Sequence, residues 1–134
     1  MGVLDDIELA LYTKLTTTGG TAVYGSRVFA VQAPQGTVAP LPYVVFHHIA
    51  GGDLNISPSR VVDLVYQVDC WAESQVTAKL MASYVEAALH EQPLTISGWN
   101  HIGTTQLKPN ASVENDNQKQ YWRRGADYRI RASK

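Results

Sequence analysis

The residues able to do chemistry are few, and their spacing sets most of them aside. Four histidines are present: His47, His48, His90 and His101. His47 and His48 are adjacent in an extended run, so they point to opposite faces and do not grip one ion together. No HxxxH or CxxC spacing occurs. A histidine beside Asp63 or Asp69 on a neighbouring strand would make a structural or solvated pair. His90 and His101 read as exposed helix-end and strand residues. Cys70 is the single cysteine, which excludes an intrachain disulfide. It falls on the apolar face of a strand, where a small buried hydrophobe is the simpler role than an activated thiol. There is no G-x-S-x-G elbow. Gly19-Gly20 and Gly51-Gly52 lack the further glycines and lysine of a nucleotide loop, and they read as a helix stop and a strand end. Asp53, Asp63, Asp69 and Asp127 have no spacing that marks out a carboxylate pair. The expectation is no catalytic residue, no cofactor and no metal.

One charge cluster stands out. Arg123, Arg124, Arg129 and Arg131 lie within nine residues, flanked by Lys119 and Lys134. On an alternating strand, Arg123, Arg129 and Arg131 share a face with Tyr121 and Asp127, while Arg124 joins the apolar face. Three readings are open. The cluster is a solvated sheet face paired to Asp63 and Asp69, a protein interface using arginine contacts, or a nucleic-acid surface. The last lacks interleaved exposed aromatics apart from Tyr121.

The elements that must position these residues are organised around Val61 to Ser74. Val62, Leu64, Tyr66, Val68 and Cys70 alternate with Asp63, Val65, Gln67 and Asp69, the pattern of a half-buried strand. Ser74 then suits a helix N-cap, and Val76, Leu80, Met81, Tyr84, Val85, Ala88 and Leu89 follow at helical spacing. That helix should stop near His90, because Pro93 discourages continuation. Upstream, Leu4, Ile7, Leu11 and Leu15 form one stripe of a first helix over residues 3 to 17, with Asp5, Asp6 and Glu8 in its first turns. Arg27 to Ala30 makes a short strand. Gln32 to Pro42 carries three prolines and a glycine, so it is a loop or extended arm. Tyr43 to Ala50 is a strand, and residues 51 to 60 form a polar loop. Leu94 to Ile96 is a short connecting piece. Trp99 to Leu107 alternates weakly as a further strand, Asn110 to Gln118 is a polar loop, and Tyr121 to Ala132 is the last strand. The order α-β-β-β-α-β-β predicts an α+β two-layer sandwich, a mostly antiparallel sheet with both helices on one face.

Composition narrows the class. With 134 residues the chain is one domain, 1 to 134, large enough for a real core. A net charge of -1 gives no global reason for a nucleic-acid or anionic-membrane partner. The first residues lack the basic start of a signal peptide, Asp6 breaks a myristoylation motif, and no apolar run is long enough to span a bilayer. Two helices leave one face of the sheet uncovered, and that face carries Val61, Val65 and Trp71 among its polar residues. Such a surface usually has a partner. A self-assembling or docking protein is therefore favoured over a small ligand-binding or enzymatic α+β domain, which would need a deep polar cleft.

Three segments together carry a resemblance: VYGSRVFAVQAPQGTVAPLPYVVFHHIAGG, VVDLVYQVDCWAESQVTAKLMASYVEAAL and YWRRGADYRIRAS. Their order and spacing resemble the tail-completion, or tail-terminator, family of long-tailed bacteriophages, prophages and gene-transfer particles. Pro34 to Phe46 and Gln67 to Ala72 are the most specific parts. The resemblance implies a lambda tail terminator-like fold and a homo-hexameric ring at the head-proximal end of the tail tube. It implies that the ring stops tube polymerisation, joins the neck, and passes DNA through its channel without reading sequence. The implied partners are copies of itself, the tail tube protein and a neck or head-completion protein, with no membrane. The implied location is the virion tail, assembled in the host cytoplasm. A neck connector on the capsid side of the same joint is the nearest alternative. The residues expected at contacts are Arg123, Arg129, Arg131, Asp53, Arg60 and Tyr121. The loops 32 to 42, 51 to 60 and 110 to 118 are long enough to reach neighbours, and at least one should become ordered on assembly.

Overall fold

A computed structural model describes residues 3–30, 41–53, 60–116 and 119–134. The elements run α1 (Val3–Thr16), α2 (Thr21–Tyr24), β1 (Val28–Ala30), β2 (Tyr43–Asp53), β3 (Val61–Ala72), α3 (Gln75–Leu89), β4 (Asn100–Asp116) and β5 (Lys119–Ser133). The strands form one sheet in the order β1-β2-β3-β5-β4, antiparallel except where β1 lies parallel to β2. The α+β two-layer reading holds, with the helices on one face. The four-residue α2 is an addition that no periodicity announced.

The sheet's centre follows from β3. Val62, Leu64, Tyr66, Val68, Cys70 and Ala72 are all buried and face Ala132, Ile130, Tyr128 and Ala126 of β5 on the helix side. Ile7, Leu11 and Leu15 of α1 and Met81, Val85 and Leu89 of α3 close that layer. Each fully buried aliphatic side chain contributes roughly 1.5–3 kcal/mol. α3 starts as expected, with the Ser74 hydroxyl accepting from the Thr77 amide at 3.1 Å. Tyr24 anchors α2 by donating its hydroxyl to the Leu15 carbonyl at 2.7 Å. Burial pushes that phenol up to about 12. The Cys70 thiol is buried too, and burial, then the neighbouring Asp69, raises its pKa well above the ordinary thiol value, so it stays protonated.

Three strand boundaries differ from expectation. β2 does not end at Gly51-Gly52 but continues to Asp53. The register shifts between His48 and Ala50, and Gly51 then sits at φ +86, where a Cβ would overlap the Asp63 carbonyl oxygen. Glycine lets the strand pass here rather than stopping it. The stretch from Asn110 is not a loop: β4 runs on to Asp116 and β5 begins at Lys119, so residues 110–116 pair in a long hairpin. An edge strand is solvated on its outer side, so polar residues such as Asn110 and Ser112 sit in it at little cost, and the ladder decides. β4 also alternates only weakly because its register shifts twice, around Ile102 and around Leu107, both left exposed.

His90 and His101 are half-buried structural groups rather than simply exposed ones. His90 Nδ1 accepts from the Gln106 amide at 3.0 Å, and the Glu91 amide donates to the Thr104 carbonyl at 2.8 Å. Both bonds lie on the outer edge of β4, which they cap. His101 Nδ1 accepts from the Leu94 amide at 3.2 Å, so Nε2 carries the proton and donates to Thr104 Oγ1 at 2.7 Å. Burial lowers the His101 pKa, consistent with a neutral ring.

Candidate functional site

The face turned away from the helices is built mainly by β3, β5 and β4. Period-2 alternation puts Asp63, Val65, Gln67, Asp69 and Trp71 of β3 on it, beside Tyr121, Arg123, Asp127, Arg129 and Arg131 of β5. The expected pairing with Asp63 and Asp69 is present, and it is arginine rather than histidine that partners both. Asp63 lies directly opposite Arg131, but its closer partner is the diagonal neighbour Arg129. Arg129 grips it with two arms, Nε to Oδ1 at 2.7 Å and Nη2 to Oδ2, and Arg131 Nε reaches the same Oδ2 at 3.3 Å. The hydrogen bond from Arg129 holds the Asp63 carboxyl below the usual carboxylate range, against a smaller opposing effect of burial.

At the other end of the strands stands a second, more enclosed cluster. Asp69, 7% exposed, accepts from Arg123 Nη1 at 2.7 Å and from Gln67 Nε2 at 3.1 Å. Arg123 also donates to Asn110 Oδ1 at 2.7 Å and Ser112 Oγ at 2.9 Å. Gly125 makes this possible. It pairs with Asp69 on one side and Asn110 on the other. A Cβ at Gly125 would overlap Asp69 Oδ1 and press on the Val68 carbonyl at 2.9 Å. Asn110, Ser112 and Gly125 were not singled out by the sequence. A glycine amid a strongly alternating strand was the available signal, since it often marks a close approach.

The six expected contact residues do not form one patch. Arg129 and Arg131 lie at the end of β3 that begins at Val61, and Asp53 ends β2 opposite Val62 at that same end. Arg60 adjoins it, with its guanidinium 5.1 Å from the centre of the Trp99 ring, a ring that Lys134 also approaches at 5.3 Å. Arg123 and Tyr121 belong to the opposite end, where the β4–β5 hairpin projects past Ala72, the last residue of β3. The loops 32 to 42 and 51 to 60 fall mostly outside the described residues. Among the described residues no cluster of three or more metal-ligating side chains occurs, and no helix is long and apolar enough to cross a membrane. The arrangement offers paired charges on a broad, open sheet rather than groups converging on a reacting atom.

Fold and surface together define a two-layer α+β domain with one sheet face left open. Comparison with known families then gives the class: the chain belongs to the family of tail completion protein gp17, which it matches over residues 9–133. It is a structural protein of the phage-type virion tail. No curated protein matches it. A chain from a solved structure titled "Virion of native gene transfer agent (GTA) particle" is similar in fold, with a TM-score of 0.81 over 99% of this chain and 98% of that one, at 20% identity.

Proposed function

We propose that the protein closes the head-proximal end of the tail tube as a ring of identical subunits, stops tube growth, and forms the joint to the neck. The observation that carries this reading is the family match, which runs through every strand and through α3. The surface suits it. An open sheet face with its charges paired suits a polar interface with a neighbouring protein. A head-to-tail ring also needs two different patches on each subunit, and the covered and open sides of this sheet are unlike. Arg129, Arg131 and Arg123 are the proposed contacts, to a neighbouring subunit, the tube protein or the channel. DNA passes the ring without sequence readout. The protein acts through contacts alone and carries out no catalysis.

The test is to add purified protein to polymerising tail-tube protein and measure tube length by electron microscopy. Growth should stop, with a ring of added density at one end. Unlimited growth with no bound density would overturn the reading.

A further inference from the structure

The ladders of the sheet slip at three places, and the same kind of residue is left over at each. The register shifts once in β2, between His48 and Ala50. It shifts twice in β4, between His101 and Gly103 and between Gln106 and Lys108. The residues left over are Ile49, Ile102 and Leu107. All three are large and apolar, and they are 42%, 58% and 50% exposed. A bulge re-aims a side chain and spoils an edge for further strand pairing, a task that a lysine serves as well. A single exposed apolar residue is ordinary. The same choice at all three bulges is a pattern, and it adds nothing to the core.

The three stand on the two lateral edges of the sheet. β1 pairs only with Val44 to Phe46, so from His47 onward β2 is the outermost strand among the described residues. Ile49 lies there within an exposed run, His48 to Gly51. Ile102 and Leu107 lie on the opposite edge, β4. Next to Ile102, on the way to Leu107, an open hollow of about 430 Å³ is lined by Gly103 and Thr105 and by the exposed Glu91 and Pro93. One edge presents a single apolar knob, and the other presents two knobs with a hollow between them.

The ladders put these features at one level. Partners in an antiparallel pair lie directly across from each other. Ile49 is level with Tyr66 and Val65 of β3. Traced through β5 to β3, Ile102 is level with Val62 and Asp63, and Leu107 with Tyr66 and Gln67. Thr105 faces Arg129, which faces Val65, so it shares the level of Ile49. The knob on one edge therefore matches the gap on the other without a shift along the strands. A side-by-side contact with no rise per copy suits a closed ring rather than a helical filament. Backbone groups beside the hollow are already taken, the Gln106 amide by His90 and the Thr104 carbonyl by Glu91.

We propose that the β2 edge of one copy packs against the β4 edge of the next, with Ile49 seated between Ile102 and Leu107. The contact is head-to-tail, since the two edges differ, and it is made by side chains rather than by extension of the sheet. This deepens the ring reading and rests on it.

The experiment uses the double variant Ile49→Cys with Thr105→Cys in the full chain. The two positions lie three strand spacings apart, about 14 Å, too far to link within one copy. Cys70 is 1% exposed and does not compete. Mild oxidation on capped tubes should give a ladder of linked copies in denaturing gels, while neither single variant links. A link in either single variant, or no ladder from the double variant, overturns the inference. Unsubstituted protein is imaged on tubes in parallel. Rings without the ladder sink this contact but leave the ring reading standing, whereas no rings at all remove both. As a second arm, Ile49→Asp and Ile102→Asp should each keep the unfolding midpoint and each abolish the ring. A ring from either variant, or a lowered midpoint, counts against the contact.

Discussion

Odd and even residues of β3 are held in place by different forces. The even set, Val62 to Ala72, lies under two helices and is removed from water almost completely. Its stability comes from burial and close packing, and it tolerates no polar stranger. Of the odd set on the open face, Asp63 and Asp69 are held by arginines on the neighbouring strand, and Gln67 donates to Asp69. The partly exposed pairs at Asp63 stabilise by about 1 kcal/mol or less. The comparison shows that the open face is not a second core. It is shaped and charge-balanced, and outside the enclosed Asp69 cluster it adds little to folding.

The largest break in that contrast should come from the covered face. Tyr128→Ala removes a ring that is 1% exposed and should lower stability by about 3–5 kcal/mol in denaturant unfolding. Next is the enclosed end of the open face. Gly125→Ala forces the Asp69 carboxylate away from Arg123 and should cost about 1–3 kcal/mol, far more than an exposed alanine substitution in a strand. An unchanged unfolding midpoint would show that the Asp69 cluster adapts freely.

Smaller again is Asp63→Asn, at about 1 kcal/mol at neutral pH. The carboxyl of Asp63 is held below its ordinary value, so the unfolded chain takes up the proton first as pH falls. The stabilisation is full above the unfolded value of roughly 4 and is lost as pH drops through the lower folded value. Unfolding measured from pH 7 to pH 2 should show an acid limb that is shallower in Asp63→Asn. The smallest stability effect belongs to Arg131→Gln, whose contact to Asp63 is long and exposed, and it should stay within about 0.5 kcal/mol. Tube capping should nevertheless weaken. Equal loss of stability and capping would erase the distinction between the faces.

How much of this was legible depends on the strand. β3 was plain, because both of its faces have fixed and opposite environments and the alternation survives in the letters. The arginine strand was plain for the same reason, and its partners Asp63 and Asp69 were identifiable by charge. Which arginine took which aspartate was not, since direct and diagonal neighbours compete and side-chain reach decides. β4 was poorly legible. Two register shifts break its alternation, and its outer half lies at an edge where either face accepts polar residues. His90 and His101 gave no signal either, because their partners are backbone amides, which every residue type supplies.

By itself the amino-acid order determined the helix stripes, the central strands, the apolar side of the sheet and the tail-completion kinship, since each is written in local periodicity or in the spacing of short motifs. Only the tertiary structure decided that Gly125 makes room for the Asp69–Arg123 cluster, and that His90 and the Glu91 amide at the end of α3 cap the β4 edge. Those outcomes depend on which distant segments become neighbours in space, and no local pattern encodes that.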